Sequence, residues 1–86
     1  MKSTTDTVLE LVKAERVLQE EKWGKQNHPA SWWMVILMEE IGEVAKAYFE
    51  FVHTGDVALL DVFQAELTQS AAVLVAWIEN NLRNGP

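Results

Sequence analysis

The segment 71–78, Ala-Ala-Val-Leu-Val-Ala-Trp-Ile, constrains the fold of this chain more than any other. Drawn as a helix, it is apolar on every side, which is the pattern of a buried helix. The run is much shorter than the roughly 20 apolar residues needed to cross a membrane, so we expect no membrane partner. A chain of 86 residues holds one domain and no more. The segment therefore predicts a buried helix within a single domain spanning 1–86.

Turn-forming residues divide the rest of the chain into helical segments. Gly24 and Gly55 are expected to end the first and second helices. Side-chain caps are expected at Thr4 or Thr5 for the first helix and at Ser31 for the second. No segment alternates with period two, so the predicted class is all-α, with antiparallel helices in a bundle. The helices are predicted at about 5–23, 32–53 and 57–82, the third either continuous or broken near residue 64.

Hydrophobic residues make up 49% of the chain and four residues are Trp, more apolar material than three helices easily bury. This predicts a homo-oligomer, a dimer or a tetramer, against the alternative of a monomer with exposed apolar surface. The net charge of −6 argues against binding nucleic acid through electrostatics. The N-terminus shows no apolar signal-peptide region, and the expected location is the cytoplasm.

Three glutamates in the second helix form an acidic stripe. At 100° per residue, Glu43 lies about 40° from Glu39 and Glu40 about 100° from it, whereas the apolar residues centre on the opposite side. A charged outer face of an amphipathic helix explains this equally well. Against that reading, like charges one turn apart are mildly destabilising, and Trp32 falls on the acidic side.

Glu66 lies within an apolar stripe of the third helix, about 20° from both Leu59 and Trp77. An unpaired buried carboxylate is costly, so Glu66 should be protonated, paired with a cation or bound to a metal. No basic residue lies within one turn of it. Carboxylates from two helices that converge suit Mg²⁺ or Mn²⁺. A di-iron site is disfavoured, because bundles of that kind use two Glu-x-x-His pairs and this chain has only one, Glu50 with His53; His28 does not stand three residues after a Glu.

Two segments together resemble the metal motif of the MazG-like, all-α nucleoside triphosphate pyrophosphohydrolases. Residues 39–43 read Glu-Glu-Ile-Gly-Glu, and after 22 further residues 66–69 read Glu-Leu-Thr-Gln. The family motif is two adjacent Glu, a Glu three residues on, and a later Glu-x-x-Asp. The flanking segments 20–24, 26–29 and 71–79 resemble the family as well, so the similarity covers about 17–79. The resemblance implies that this chain is a short stand-alone member of that family.

The resemblance implies Mg²⁺-dependent hydrolysis of (deoxy)nucleoside triphosphates to a monophosphate and pyrophosphate, a reaction suited to removing non-canonical nucleotides. It implies Glu40, Glu43 and Glu66 as metal ligands. Glu39 is implied as a further ligand or as the base that orients water. Gln69 stands where the family has Asp, and an amide oxygen is a weaker, uncharged ligand. Either Glu39 supplies the missing charge and the site is active, or the site binds metal poorly.

Further residues are candidates for binding the substrate. Phosphate contacts are expected from Lys22, Lys25 and Lys46, and base stacking from Trp23, Trp32 or Trp33. His28 in the loop and Asn80 in the third helix are weaker candidates. Each also has an ordinary reading as a surface or core residue. Two other functions remain open: a nucleotide- or metal-binding module without turnover, and a helical dimerisation or adaptor protein.

Overall fold

The computed structural model describes all 86 residues and confirms the all-α class. Its three helices are α1 (Thr4–Trp23), α2 (Ala30–Thr54) and α3 (Ala58–Asn84). Each end lies within two residues of the position expected from the sequence. Helix α3 is continuous, which decides against the alternative of a break near Gln64.

The start of α1 is capped by Ser3, and the expectation of a cap at Thr4 or Thr5 was wrong. The Ser3 hydroxyl accepts a hydrogen bond from the Asp6 backbone N–H at 3.0 Å. In return, the Asp6 carboxylate accepts one from the Ser3 N–H at 3.2 Å. Only Ser3 has an acidic residue placed three positions later for this reciprocal capping box, which satisfies two N–H groups at the helix end.

Helix α2 begins earlier than predicted, and Ser31 lies inside it rather than capping it. Pro29 occupies the cap position, and its carbonyl accepts hydrogen bonds from the N–H groups of Trp32 and Trp33. Proline suits this position because it has no N–H to leave unpaired. At the other end Gly55 adopts the left-handed conformation, with φ 68° and ψ 10°, and ends the helix as expected.

Helix α3 packs against both α1 and α2, whereas no Cα atom of α1 lies within 8 Å of one in α2. The hydrophobic core consists of Trp33, Val73 and Ala76, with Ile36, Leu37 and Trp77 packed around it. The rings of Trp33 and Trp77 stack with their centroids 6.5 Å apart. The arrangement leaves a gap between α1 and α2 above the surface of α3.

Much of the apolar surface that the sequence predicts to be buried is exposed in the single chain. Within 71–78, Leu74 and Ile78 are 44% and 58% exposed, so this segment is not covered on every side. The side of α2 that packs against α3 carries Trp33, Glu40 and Ala47. Its most apolar side faces outward instead, with four large exposed residues: Met34, Met38, Ile41 and Val52. Tyr48 is exposed as well, although its ring contacts Phe63 of α3.

Helix α3 is also long and apolar enough to cross a membrane when judged by length and composition alone. The central helix of a water-soluble protein has the same composition, so this property does not distinguish the two cases.

Candidate functional site

Glu40 is the central residue of an acidic cluster that consists of Glu15, Glu39, Glu40, Glu43 and Glu66. Its side chain is half-buried, and its Oε2 atom is buried without a hydrogen-bond partner. Burial raises the pKa of Glu40 above its ordinary value, and the negative charges of Glu66, Glu43, Glu15 and Glu39 raise it further. No basic group offsets them. Glu40 is therefore an acidic group with four acidic neighbours and an unsatisfied oxygen.

Helical spacing explains why Glu40 points inward. It stands seven residues after Trp33 and seven before Ala47, both of which are buried. Two helical turns return a side chain to nearly the same face, so all three lie on the side of α2 that meets α3. Glu66, from α3, is half-buried and lies near it. The two helices thus place Glu40 and Glu66 close enough for the charge of Glu66 to act on Glu40.

The gap between α1 and α2 forms a groove of about 200 Å³. Val73 and Ala76 of α3 lie at its base, and Glu39 and Glu40 of α2 lie along its wall. The groove is thus partly apolar and aromatic and partly acidic. Its remaining lining residues are Gln19, Trp23, Gln26, Trp33 and Ile36.

The other two predicted metal ligands lie in a separate depression of about 150 Å³ between α2 and α3. Glu43 and Glu66 line it together with Lys46 and Glu50. In this conformation no three acidic or histidine side chains lie close enough together to hold a metal ion. The donor chemistry nevertheless fits Mg²⁺, because carboxylate oxygens are its preferred protein ligands and the unpaired Glu40 oxygen lacks a partner.

Gln69 lies on the side of α3 that faces α1, away from Glu43. Its backbone carbonyl accepts a hydrogen bond from the Gln19 amide at 3.5 Å. Its side chain borders depressions that Glu15 and Lys22 also line. The sequence analysis missed Glu15. Its position one turn before the buried Gln19 is the signal that could have placed it on the inner side of α1.

The predicted stacking residues differ in their surroundings. Trp23 lines the groove and is 55% exposed, and the Lys22 ammonium lies 4.7 Å from its ring centre. Trp33 lines the groove too but is almost completely buried in the core. Trp32 is exposed and does not line the groove. Trp23 is therefore the predicted ring most open to a ligand within the groove.

The remaining candidates contact the loop 24–29 or the solvent. The His28 backbone N–H donates a hydrogen bond to Asn80 Oδ1 at 2.9 Å, and its ring lies edge-on to Trp33 at 5.0 Å. Asn80 is buried, so in this conformation it holds the loop and offers no surface to a ligand. Lys25 is exposed. Lys46 lies beside three glutamates yet forms none of the ion pairs within 4 Å.

Comparison with family models, curated proteins and solved structures finds no match for this chain. Its functional assignment therefore depends on the geometry of the carboxylates and the groove, together with the two-part glutamate motif.

Proposed function

We propose that the protein is a Mg²⁺-dependent hydrolase of (deoxy)nucleoside triphosphates that releases a monophosphate and pyrophosphate. The observation that carries the proposal is Glu40, a half-buried carboxylate with an unpaired oxygen and four acidic neighbours. Such a group is unfavourable in a folded protein unless a cation offsets its charge. The two-part motif at 39–43 and 66–69 supports the same reaction. We assign it a role in removing unwanted nucleotides in the cytoplasm.

Glu40, Glu43 and Glu66 are the proposed Mg²⁺ ligands. Glu39 is the proposed fourth ligand or the base that orients water. Bound Mg²⁺ would neutralise carboxylate and phosphate charge and lower the pKa of a bound water. Glu43 and Glu66 already share one depression, and the charges of both act on Glu40. The proposal requires their flexible side chains to turn toward one point when the cation binds.

The groove between α1 and α2 is the proposed site for the nucleobase. Pockets that bury drug-sized ligands occupy roughly 300–1,000 Å³, so a groove of about 200 Å³ suits one ring system better than a whole nucleotide. Trp23 offers an exposed aromatic face for stacking. Glu39 and Glu40 in the same groove then place the phosphates near the cation. Lys22, Lys25 and Lys46 are the proposed phosphate contacts.

The direct test is pyrophosphate release from a panel of canonical and modified triphosphates, with Mg²⁺ and with a chelator. We expect Mg²⁺-dependent release by the parent protein. Loss of a group that stabilises developing charge lowers kcat by about 100- to 1,000-fold, so Glu40→Gln should fall in that range. Glu21→Gln is the matched control, because Glu21 is exposed and makes no ion pair. No release by the parent from any substrate would reject the reaction.

A second candidate is a module that binds nucleotide or metal without turnover. It is favoured by the absence of three converging carboxylates and by Gln69, which adds no charge and faces α1. Calorimetry would then show triphosphate binding without hydrolysis. In that case Gln69→Asp should raise Mg²⁺ affinity. If Gln69→Asp leaves Mg²⁺ affinity unchanged, position 69 is not a ligand position.

We further propose that the helices form an antiparallel bundle completed by a second copy of the chain, as a homodimer or tetramer. Trp33 contacts Trp77 near one end of α2, and Tyr48 contacts Phe63 near the other, which supports antiparallel packing. The accessible surface is 6215 Å². A folded monomer of 9.8 kDa exposes about 5,200 Å². The excess is similar to the roughly 800 Å² that each partner buries in a standard interface.

A helical adaptor would use the same exposed apolar side of α2 to bind a different protein. The acidic cluster disfavours this alternative, because a solvated surface does not need a buried, unpaired Glu40 oxygen. If Glu66→Gln changes neither stability nor ligand binding in the presence of Mg²⁺, the adaptor is the better explanation.

A further inference from the structure

The loop 24–29 is fastened to the C-terminal end of α3 by hydrogen bonds between residues more than 50 positions apart. The His28 N–H donates to the buried Asn80 Oδ1 at 2.9 Å. One guanidinium nitrogen of Arg83, Nη2, donates at 3.0 Å to both the Gln26 carbonyl and the Asn27 side-chain oxygen. The Asn84 side-chain amide also donates to the Asn27 side-chain oxygen, at 2.8 Å. The loop is therefore held by three residues of α3, Asn80, Arg83 and Asn84, which lie outside both the groove and the acidic cluster.

Arg83 lies directly behind the wall of the groove. It borders a small cavity of about 10 Å³ together with Gly24, Gln26 and Trp33. Gln26 and Trp33 line the groove as well. One layer of residues therefore separates Arg83 from the groove, and a shift of the loop would move Gln26 relative to Trp33.

Gln26 is the residue in the groove wall best suited to recognise a ring by its edge. Its carbonyl is held by Arg83, but its side-chain amide makes no hydrogen bond within the chain. The amide presents both a donor and an acceptor. Gln19, the other amide in the groove, is already bonded to Gln69 and Arg16. A site that hydrogen-bonds its substrate strongly rejects analogues that lack the matching group.

We propose that Gln26 selects the ring bound in the groove, and that Arg83 and Asn80 are positioning residues that hold Gln26 in place. The favoured rings carry a hydrogen-bond donor and an acceptor next to each other on one edge, as every canonical base does, and the disfavoured rings, such as unsubstituted purine, lack that pair. This inference rests on the proposed function, because it takes the base of a nucleotide as the occupant of the groove.

The test compares binding of nucleotides that differ only in the ring. Calorimetry would measure the dissociation constants of the adenine, guanine, cytosine and thymine deoxynucleoside monophosphates, and of purine 2′-deoxyriboside monophosphate, which lacks exocyclic donors. Loss of one well-placed hydrogen bond weakens affinity by about tenfold. Gln26→Ala should therefore weaken the affinity for the preferred rings by about tenfold. The affinity for purine 2′-deoxyriboside monophosphate should stay nearly unchanged.

Arg83→Met should give the same loss of selectivity, although Arg83 does not line the groove. The double variant with Gln26→Ala should lose little more than either single variant, because residues that act through each other are non-additive. If the parent is active, Arg83→Met should raise KM for the preferred triphosphate by about tenfold and leave kcat within about twofold. Lys13→Met is the matched control, since Lys13 is exposed and makes no ion pair.

Amide hydrogen exchange gives a readout that does not depend on any ligand. Arg83→Met and Asn80→Ala should speed exchange at the His28 N–H while leaving the amides of Val73 and Ala76 protected.

The outcomes separate this inference from the proposed reaction. If Arg83→Met keeps the parent's order of ring affinities, or if the parent binds none of the nucleotides, the inference is overturned. Ring-selective binding that depends on Gln26 and Arg83 supports it even when no pyrophosphate is released, and in that case only the proposed turnover fails.

Discussion

Replacing Glu40 with Gln should stabilise the protein when no divalent cation is present. The Glu40 Oε2 atom is buried without a partner, which costs about 1–3 kcal/mol. Because the side chain is only half-buried, we take the lower end, about 1 kcal/mol. The neutral amide removes the repulsion from the neighbouring carboxylates and gives them a donor. For a domain of this size, 1 kcal/mol corresponds to a rise in Tm of about 4–8 °C.

The stability gained by Glu40→Gln should decrease as the pH is lowered. The pKa of Glu40 in the folded protein lies above its ordinary value of 4.5. Below pH 4.5 the group is protonated in both folded and unfolded chains and carries no penalty. As pH rises through the raised pKa, the folded state must hold an unfavourable charge and loses stability. The difference in Tm between Glu40→Gln and the parent should therefore be large at neutral pH and shrink toward pH 4.

Adding Mg²⁺ should reverse the order of stability. A ligand that binds only the folded state at 100 times its dissociation constant stabilises by about 2.7 kcal/mol, and the parent should gain most of this. Glu40→Gln should gain much less. Thermal melts followed by circular dichroism, with chelator and with Mg²⁺, measure both effects against Glu21→Gln. A Tm for Glu40→Gln below that of the parent in chelator would refute the reasoning. A parent Tm that does not change when Mg²⁺ is added would also refute it.

Three further substitutions test the fold. Ser3→Ala should lower the free energy of unfolding by about 1 kcal/mol in urea titrations, because it removes the cap of α1. Arg16→Met should lower the free energy of unfolding by about 1.5–3 kcal/mol, since the guanidinium is mostly buried and donates to Glu79 at 2.6 and 2.9 Å. An unchanged urea midpoint would contradict this. Met38→Asp on the exposed apolar side of α2 should convert the proposed oligomer to monomers in light scattering, and an unchanged mass would exclude this surface as the interface.

The helix positions could be predicted because strong local signals set them. Gly55 readily adopts the left-handed backbone conformation that ends α2. Gly24 ends α1, and its N–H donates a hydrogen bond to the Glu20 carbonyl. The helix starts were harder to predict. Ser3 competes with two threonines for the same role, and the position of the acidic residue three places later decides the outcome. Several adjacent residues can cap a helix, so composition alone does not fix the start.

The direction in which α2 faces could not be predicted from periodicity. Its most apolar side, which includes Met38 and Ile41, is exposed, and the side with Glu40 faces α3. A hydrophobic stripe predicts that something covers it, but not whether that cover is the same chain or another. The seven-residue spacing of Trp33, Glu40 and Ala47 indicates the inner face only after Trp33 is known to be in the core.

The groove and the small core have a common cause. Since α1 and α2 both pack on α3 with their Cα atoms more than 8 Å apart, the gap between them can hold a ring, but only nine residues become buried. A domain with so little buried surface needs stabilisation from elsewhere. A second copy covering α2 and a cation at Glu40 would each supply part of it. Stability should therefore rise with protein concentration and with Mg²⁺, and the two effects should add, because the exposed side of α2 and the acidic cluster lie on different faces of that helix.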